Sequence, residues 1–386
     1  MNLNRLSIVL LLVAIALRSD LFFVLLYIVV GLQLATRLWL SYQVRSLSWS
    51  RTIPQAAFPG ERLQVEIALQ NRGLLPIAWV ALHESLPPAL HTPPMIREVI
   101  SLGPGERRLI TYELFGQRRG YYQIGPLSLQ TGDVLGLGER PLVSDQRAAL
   151  TIYPHVLPLA DFGLPASLPY GTLASSRRLF EDPARPAGVR PYQPADGVRR
   201  IDWKASAHAG QPLVRRQQPA IALETLVALA FTREEYDGRF AYDTMEHALT
   251  AAASILAHLA DLRQPFGVCV SGFDPATSRH ATVVPLGHGR AHLITALGLL
   301  GRLEPLKEGQ LLPEVRRATA GLGWGSTVVM ITGQRGEPLL AEALGMRRRG
   351  LNVTLIMTEA TPDELALPRR HGIAAFTLNR EGRPIE

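Results

Sequence analysis

The densest chemistry in this sequence lies between Ser175 and Arg216. Nine cations there (Arg177, Arg178, Arg185, Arg190, Arg199, Arg200, Lys204, Arg215 and Arg216) face four acids (Glu181, Asp182, Asp196 and Asp202). A guanidinium binds carboxylates and phosphates through two parallel hydrogen bonds, so such a stretch suits acidic partners or anionic lipid. Nucleic-acid phosphate is the alternative ligand, neutralised by clustered cations. An arginine excess also follows from base composition alone. Prolines at 183, 186, 191 and 194 discourage a long helix. Within the stretch, Tyr192, Pro194, Asp196, Arg199, Arg200, Ile201, Asp202, Trp203, Lys204 and Ser206 mix aromatic groups with opposite charges. Asp196 reads as a helix start, and Arg199 and Arg200 follow it at helical ion-pair spacing.

Other reactive side chains are sparse. His280, His288 and His292 lie close in sequence, but glycines flank His288 and no His-Glu-x-x-His motif is present, so they read as scattered surface histidines. Cys269, the single cysteine, sits in an apolar run and reads as a small core residue. One cysteine excludes an intramolecular disulfide framework and a cysteine-based zinc site. The only lysines, Lys204 and Lys307, do not follow glycine, which excludes a P-loop. Gly321–Gly325 is glycine-rich but precedes a strand pattern, so it reads as a loop rather than a dinucleotide fingerprint. No Gly-x-Ser-x-Gly elbow occurs. This inventory favours a non-enzymatic protein without a cofactor.

The elements that must position these residues fall into four segments. The 386 residues, 47% hydrophobic and 19% charged, carry a net charge of +7 and hold enough apolar mass for two or three domains. Residues 1–42 are dominated by apolar stretches over Leu6–Leu17 and Leu21–Leu40, interrupted by Arg18-Ser19-Asp20. They predict a two-span transmembrane hairpin, or a single span formed by the second stretch. Arg37, Arg45 and Arg51 follow the apolar segment, which places the large C-terminal part in the cytoplasm. Residues 43–155 alternate apolar and polar, most clearly over Leu63–Leu69, and predict six or seven short strands in an immunoglobulin-like β-sandwich. Arg118–Tyr122 reads as a solvated hairpin. Residues 156–218 form the arginine-rich linker. Residues 219–386 alternate strand runs (Glu224–Phe231, Phe266–Ser271, Ser326–Thr332, Leu351–Met357) with helical ones, including Arg290–Arg302 and Glu337–Arg349. That order predicts a doubly wound parallel sheet. Asp243 with Glu246 resembles a capping box.

The stretch from Tyr192 to Ala207 resembles the signature of the domain-of-unknown-function 58 (DUF58) family, approximately Tyr-x-Pro-Gly-Asp-x-x-Arg-x-Ile-x-Trp-Lys-x-Ser-Ala. It matches at Tyr192, Pro194, Asp196, Arg199, Ile201, Trp203, Lys204, Ser206 and Ala207, and departs at Ala195. Arg119–Pro126 is similar to the family's Arg-Gly-x-Tyr-x-x-Gly-Pro, and Asp133–Leu137 to its Asp-Pro-Phe-Gly-Leu, with Val134-Leu135 in place of Pro-Phe. For this multi-domain α+β chain the resemblance implies a bacterial inner-membrane protein with a von Willebrand factor A-like domain at its C-terminus. It implies a scaffold or adaptor role beside a MoxR-type AAA+ ATPase, in chaperone-like complex assembly or cell-envelope work. In that fold the first strand normally ends in an Asp-x-Ser-x-Ser metal site. Here it ends Phe231-Thr232-Arg233-Glu234, without the aspartate, so no metal is expected at this degenerate site near Thr232. Thr232, Glu234 and Asp274 are candidates to rebuild it. The resemblance predicts Trp203 as a buried anchor and Asp196 paired with Arg199 or Arg200. The signature then serves either as a docking surface or as the join between two domains.

Overall fold

The computed structural model describes residues 3–17, 20–90, 95–134, 136, 138–144, 146–165, 181–193, 201–219, 224–236, 240–309 and 311–378. The fold is mixed α+β and divides into two compact units, Met1–His155 and Val156–Glu386.

The first unit opens with α1 (Leu3–Leu17) and α2 (Asp20–Ser46). At 1.5 Å per residue the 27 residues of α2 extend about 40 Å. Among the described residues α2 is the one helix long and apolar enough to cross a bilayer; α1 is shorter. Gln33 Nε2 donates to Ser7 Oγ at 2.6 Å, so α1 runs back along α2, and each polar group finds a partner within an apolar stretch.

Ten strands follow: β1 (Leu47–Thr52), β2 (Ala56–Ala57), β3 (Arg62–Asn71), β4 (Ile77–Ser85), β5 (Met95–Leu102), β6 (Arg107–Phe115), β7 (Gly120–Ile124), β8 (Leu127–Gly132), β9 (Glu139–Ser144) and β10 (Ala148–Ile152). They form sheets ordered β1-β3-β6, β2-β10-β7 and β5-β4-β8-β9, antiparallel throughout except for the short β2–β10 pair. The alternation over Leu63–Leu69 becomes alternate burial along β3, whose inward side chains Leu63, Val65, Ile67 and Leu69 feed two apolar clusters. One cluster joins β3 and β6 to β4, β5 and β8; the other joins them to β7 and β10. Gly120, Tyr121 and Tyr122 of the expected solvated hairpin instead belong to strand β7, paired along β10. The turn signal at Asn71-Arg72-Gly73 is an Asx turn: Asn71 Oδ1 accepts from Gly73 N at 2.9 Å, while its Nδ2 donates to the Leu75 and Gly103 carbonyls.

A buried ionic group, which local sequence pattern does not announce, bridges two sheets. Glu84 on β4 is fully buried; it pairs with Arg51 on β1 and accepts from Tyr112 Oη on β6 at 2.5 Å. Burial first, then the hydrogen bond to Glu84, drives the Tyr112 hydroxyl far above its ordinary pKa and keeps it a donor.

The second unit contains β11 (Glu181–Pro191), α3 (Trp203–Ala209), β12 (Leu213–Pro219), β13 (Thr225–Ala230), α4 (Ala241–Asp261), β14 (Phe266–Asp274), β15 (Arg279–Gly287), α5 (Arg290–Arg302), α6 (Leu311–Thr319), β16 (Thr327–Thr332), α7 (Glu337–Arg348), β17 (Asn352–Thr358), α8 (Pro362–Arg370) and β18 (Ala374–Leu378). A six-stranded sheet runs β15-β14-β13-β16-β17-β18, parallel except at the antiparallel edge strand β15. Every residue of β13 and β16 is buried, as continuous apolar runs covered on both faces must be. The chain leaves β13 for β14 on one side and later enters β16 on the other, so the sheet has its switch point between β13 and β16.

The expected capping box at Asp243 is displaced. Helix α4 begins at Ala241 after Phe240, with no side-chain cap, and Asp243 lies in its first turn, where a negative charge complements the helix dipole. A capping box does occur at α8, where Thr361 and Glu364 satisfy each other's backbone N–H groups.

Candidate functional site

Two features of the second unit gather the candidate residues. The first is the signature segment, which folds as β11 and β12 paired antiparallel with α3 between them. Its seven-residue helix starts at Trp203, and the expected helix start at Asp196 lies outside the described residues. Asp202 is the N-cap, accepting from Lys204 N and Ala205 N at 3.2 Å each. Ser206 closes the other end of the bracket: its Oγ donates to the Asp202 carbonyl at 2.7 Å and accepts from Leu213 N at 2.8 Å. Asp202 N donates to Leu213 O, Tyr192 N donates to Pro212 O, and Ile201 bridges Val214, so three signature positions pin the helix to β12 through backbone bonds. Gly210 ends it at φ +68°, the left-handed stop that glycine supplies without strain.

Trp203 opens this helix and is 67% exposed, not buried as expected. As the residue directly after the cap, it projects from a short helix whose inward contacts are already made by Ser206 and by the backbone. Lys204 beside it is exposed as well. Pro194, Asp196, Arg199 and Arg200 lie outside the described residues, and with them the expected Asp196 ion pair.

The second feature is a cleft of about 530 Å³ at the switch point, bordered by Glu234, Glu235, Gly309, Gln334, Arg335 and Pro338. This is where open α/β sheets place ligands, outside the carboxyl ends of their strands. Glu235 follows β13 in a single 3-10 turn, and its carboxylate accepts from Thr332 Oγ1 at the end of β16 (2.6 Å) and from Leu311 N at the start of α6 (3.4 Å). Burial raises the Glu235 pKa, and these two hydrogen bonds offset it only in part. Backbone packing is tight, because a Cβ on Gly333 would stand 2.1 Å from the Glu235 carbonyl oxygen. Arg335 crosses the other wall, donating to the Thr358 and Glu359 carbonyls at 3.1 and 3.0 Å and pairing with Glu364 at 3.6 Å. Chemically, the cleft presents a carboxyl group that holds its proton more tightly than usual, hydrogen-bonded to the Thr332 hydroxyl, and a second acid at Glu234.

Thr232, Glu234 and Asp274 are not brought together as ligands. Thr232 Oγ1 lies 3.3 Å from Ser271 Oγ, both buried, and residues 304–306 cover this end of the sheet through backbone bonds to Phe231, Arg233 and Phe273. Asp274 is engaged by Arg302 Nε at 2.7 Å, Thr277 Oγ1 at 3.0 Å and Ala276 N at 3.1 Å. Burial alone would raise the Asp274 pKa; those contacts, led by Arg302, bring it below the ordinary value instead. Among the described residues no three His, Cys, Asp or Glu side chains are grouped to hold a metal. His292 is occupied structurally, with Nε2 at 2.9 Å from the Phe266 carbonyl, and the His280 ring lies tilted against Phe273. The Cys269 thiol is buried and pushed up to about 12, which keeps it protonated and unreactive.

Residues 188–375 match the family described as Protein of unknown function DUF58, a span that takes in α3 and the whole cleft. The chain is 25% identical over 347 residues to the Uncharacterized protein YeaD of Bacillus subtilis (strain 168), across 84% of this chain and 79% of that protein. Among solved structures it is similar to the CARDB domain of the PF1109 protein from Pyrococcus furiosus, at 16% identity over 28% of this chain and 87% of that one, with a TM-score of 0.19. It is also similar to beta-glucosidase from Listeria innocua, at 15% identity over 29% of this chain and 16% of that one, again with a TM-score of 0.19. Scores this low do not define the fold.

Proposed function

We propose that this chain is a membrane-anchored, non-enzymatic scaffold that presents its signature helix to a partner protein. The observation that supports this reading is Trp203: a large aromatic side chain held in water on a helix locked by Asp202 and Ser206. Exposed tryptophans on rigid supports are the residues that dominate binding energy when a partner covers them. A role confined to joining two domains would bury Trp203. The partner we propose is a MoxR-type AAA+ ATPase, in protein-complex assembly or cell-envelope maintenance.

In the same proposal, α2 anchors the chain in the inner membrane, with α1 as a short companion span. Arg37, Arg45 and Arg51 keep the two units on the cytoplasmic side. The sheets of the first unit are read as immunoglobulin-like and the six-stranded sheet as von Willebrand factor A-like.

The test is affinity capture of the detergent-solubilised, tagged full chain from its host, with and without ATP, for the parent and for Trp203→Ala. Recovery of an AAA+ ATPase by the parent and its loss in a variant with unchanged hydrogen exchange supports docking through Trp203. Undiminished capture by the variant removes Trp203 from the interface. No ATPase with the parent ends the partner claim.

A further inference from the structure

Asp133, Val134 and Gly136, the described residues of the Asp133–Leu137 motif, lie between β8 and β9, far from the signature helix in sequence, and the scaffold role does not use them. Their surroundings in the first unit assign them a place. The turn packs on α2: Gly138 lies so close to the helix that a Cβ there would stand 2.8 Å from Leu40 Cδ1, and Asp133 N donates to Gly138 O at 3.1 Å to close the loop. Gln43, buried on α2, joins the two, its amide oriented so that the oxygen accepts from Trp39 Nε1 at 2.6 Å and the nitrogen donates to Gly132 O at 3.3 Å. Between turn and helix lies a cleft of about 230 Å³ lined by Leu32, Ala35, Thr36 and Trp39 on α2 and by Asp133 and Val134 on the turn. From Leu32 to Trp39 the helix rises about 10 Å, and these residues belong to its apolar span rather than to the part that meets the strands. Yet Val134, facing this zone, is 71% exposed, and Leu34 and Leu38 on the helix itself are exposed too.

An apolar side chain presented to solvent beside a membrane-spanning helix is stable when the solvent is lipid. We propose that the β8–β9 turn is a second membrane contact, which inserts Val134 into the bilayer beside α2 so that the cleft takes a phospholipid acyl chain. The contact rests on the membrane reading of α2. The occupant follows from position, because one wall of the cleft is the face of α2 that the bilayer itself would cover. Shallow insertion of this kind reaches about 5–10 Å into the boundary between headgroups and acyl chains. It would fix the tilt of the first unit against the membrane, which a single helix leaves free.

The test uses the full chain in vesicles of phosphatidylcholine and phosphatidylglycerol that contain lipids with a nitroxide on the acyl chain. Cys269 is buried and protonated, so a fluorophore placed by Val134→Cys, Leu38→Cys or Met95→Cys labels only the new thiol. Met95 is exposed at the far end of the same sheet: β4 pairs with Met95 at Ser85 and with Gly132 at Trp79. We expect the Val134 label to be quenched within about twofold of the Leu38 label, as two probes at the same shallow depth would be, and the Met95 label to be untouched. Quenching at Leu38 without quenching at Val134 overturns the second contact and leaves the anchor. No quenching at Leu38 overturns the anchor and the contact with it. Equal quenching at all three positions overturns the depth assignment, since the far end of the sheet would then lie in lipid too.

Discussion

Replacing Glu235 with Gln tests the electrostatics of the switch-point cleft. The amide keeps an oxygen that accepts from Thr332 Oγ1 and Leu311 N, fills the same volume and removes the charge. Because burial raises the Glu235 pKa in the folded chain, the folded state binds this proton more tightly than the unfolded state does. The contribution is therefore full below the ordinary glutamate value of about 4.3 and is lost as pH rises toward the folded pKa. Across that window the parent should lose stability relative to Glu235→Gln at up to about 1.4 kcal/mol per pH unit, levelling off once the carboxylate is ionised in both states. Hydrogen exchange of β13 and β16 peptides in the full-length protein, corrected for the intrinsic pH dependence, reads the second unit alone. Near pH 4 the two proteins should match; at neutral pH the variant should be the more stable. A difference flat in pH would refute the burial argument. A parent that gains on the variant as pH rises would reverse it, and would mean that a cation in the cleft holds Glu235 ionised.

Other outcomes follow from single contacts. Asp202→Ala removes the cap of α3 and should cost about 1 kcal/mol, seen as faster exchange at the amides of residues 204–209, whereas Trp203→Ala should change stability by less than about 0.5 kcal/mol. Glu84→Ala leaves Arg51 buried without its carboxylate and should cost about 3–5 kcal/mol in the first unit, measured at β4 amides; replacing Arg51 and Glu84 together with apolar residues of similar volume should recover much of it. Gly333→Ala forces a Cβ onto the Glu235 carbonyl and should destabilise the second unit by about 1–3 kcal/mol or more, with exchange rising first at the carboxyl ends of β13 and β16.

Local pattern was enough to write much of this chain. The continuous apolar runs at β13, β16 and β17 announce strands covered on both faces, and α5 was legible to its last residue because its apolar spacing and its flanking glycine and proline are all nearby in sequence. The alternation in β3 and the two apolar stretches that become α1 and α2 are likewise properties of a few neighbouring residues. Strands β7, β9 and β15 escaped, as did the β11–β12 ribbon: β7 and the ribbon are held by pairing to strands more than 20 residues away, β9 and β15 return beside β8 and β14 across short turns, and none carries a periodicity that states it. The same holds for the sites. The composition and spacing of the signature marked Ile201, Asp202, Trp203 and Ser206 as unusual, but only the fold made Asp202 the cap, Ser206 the bracket and Trp203 an exposed side chain. Glu235 meets Thr332 across 97 positions, and Arg51 meets Glu84 across 33. Sequence alone determined which segments must be apolar, because burial is demanded residue by residue. Tertiary structure decided which polar groups meet, because hydrogen bonds and ion pairs depend on distances that only the assembled strands set.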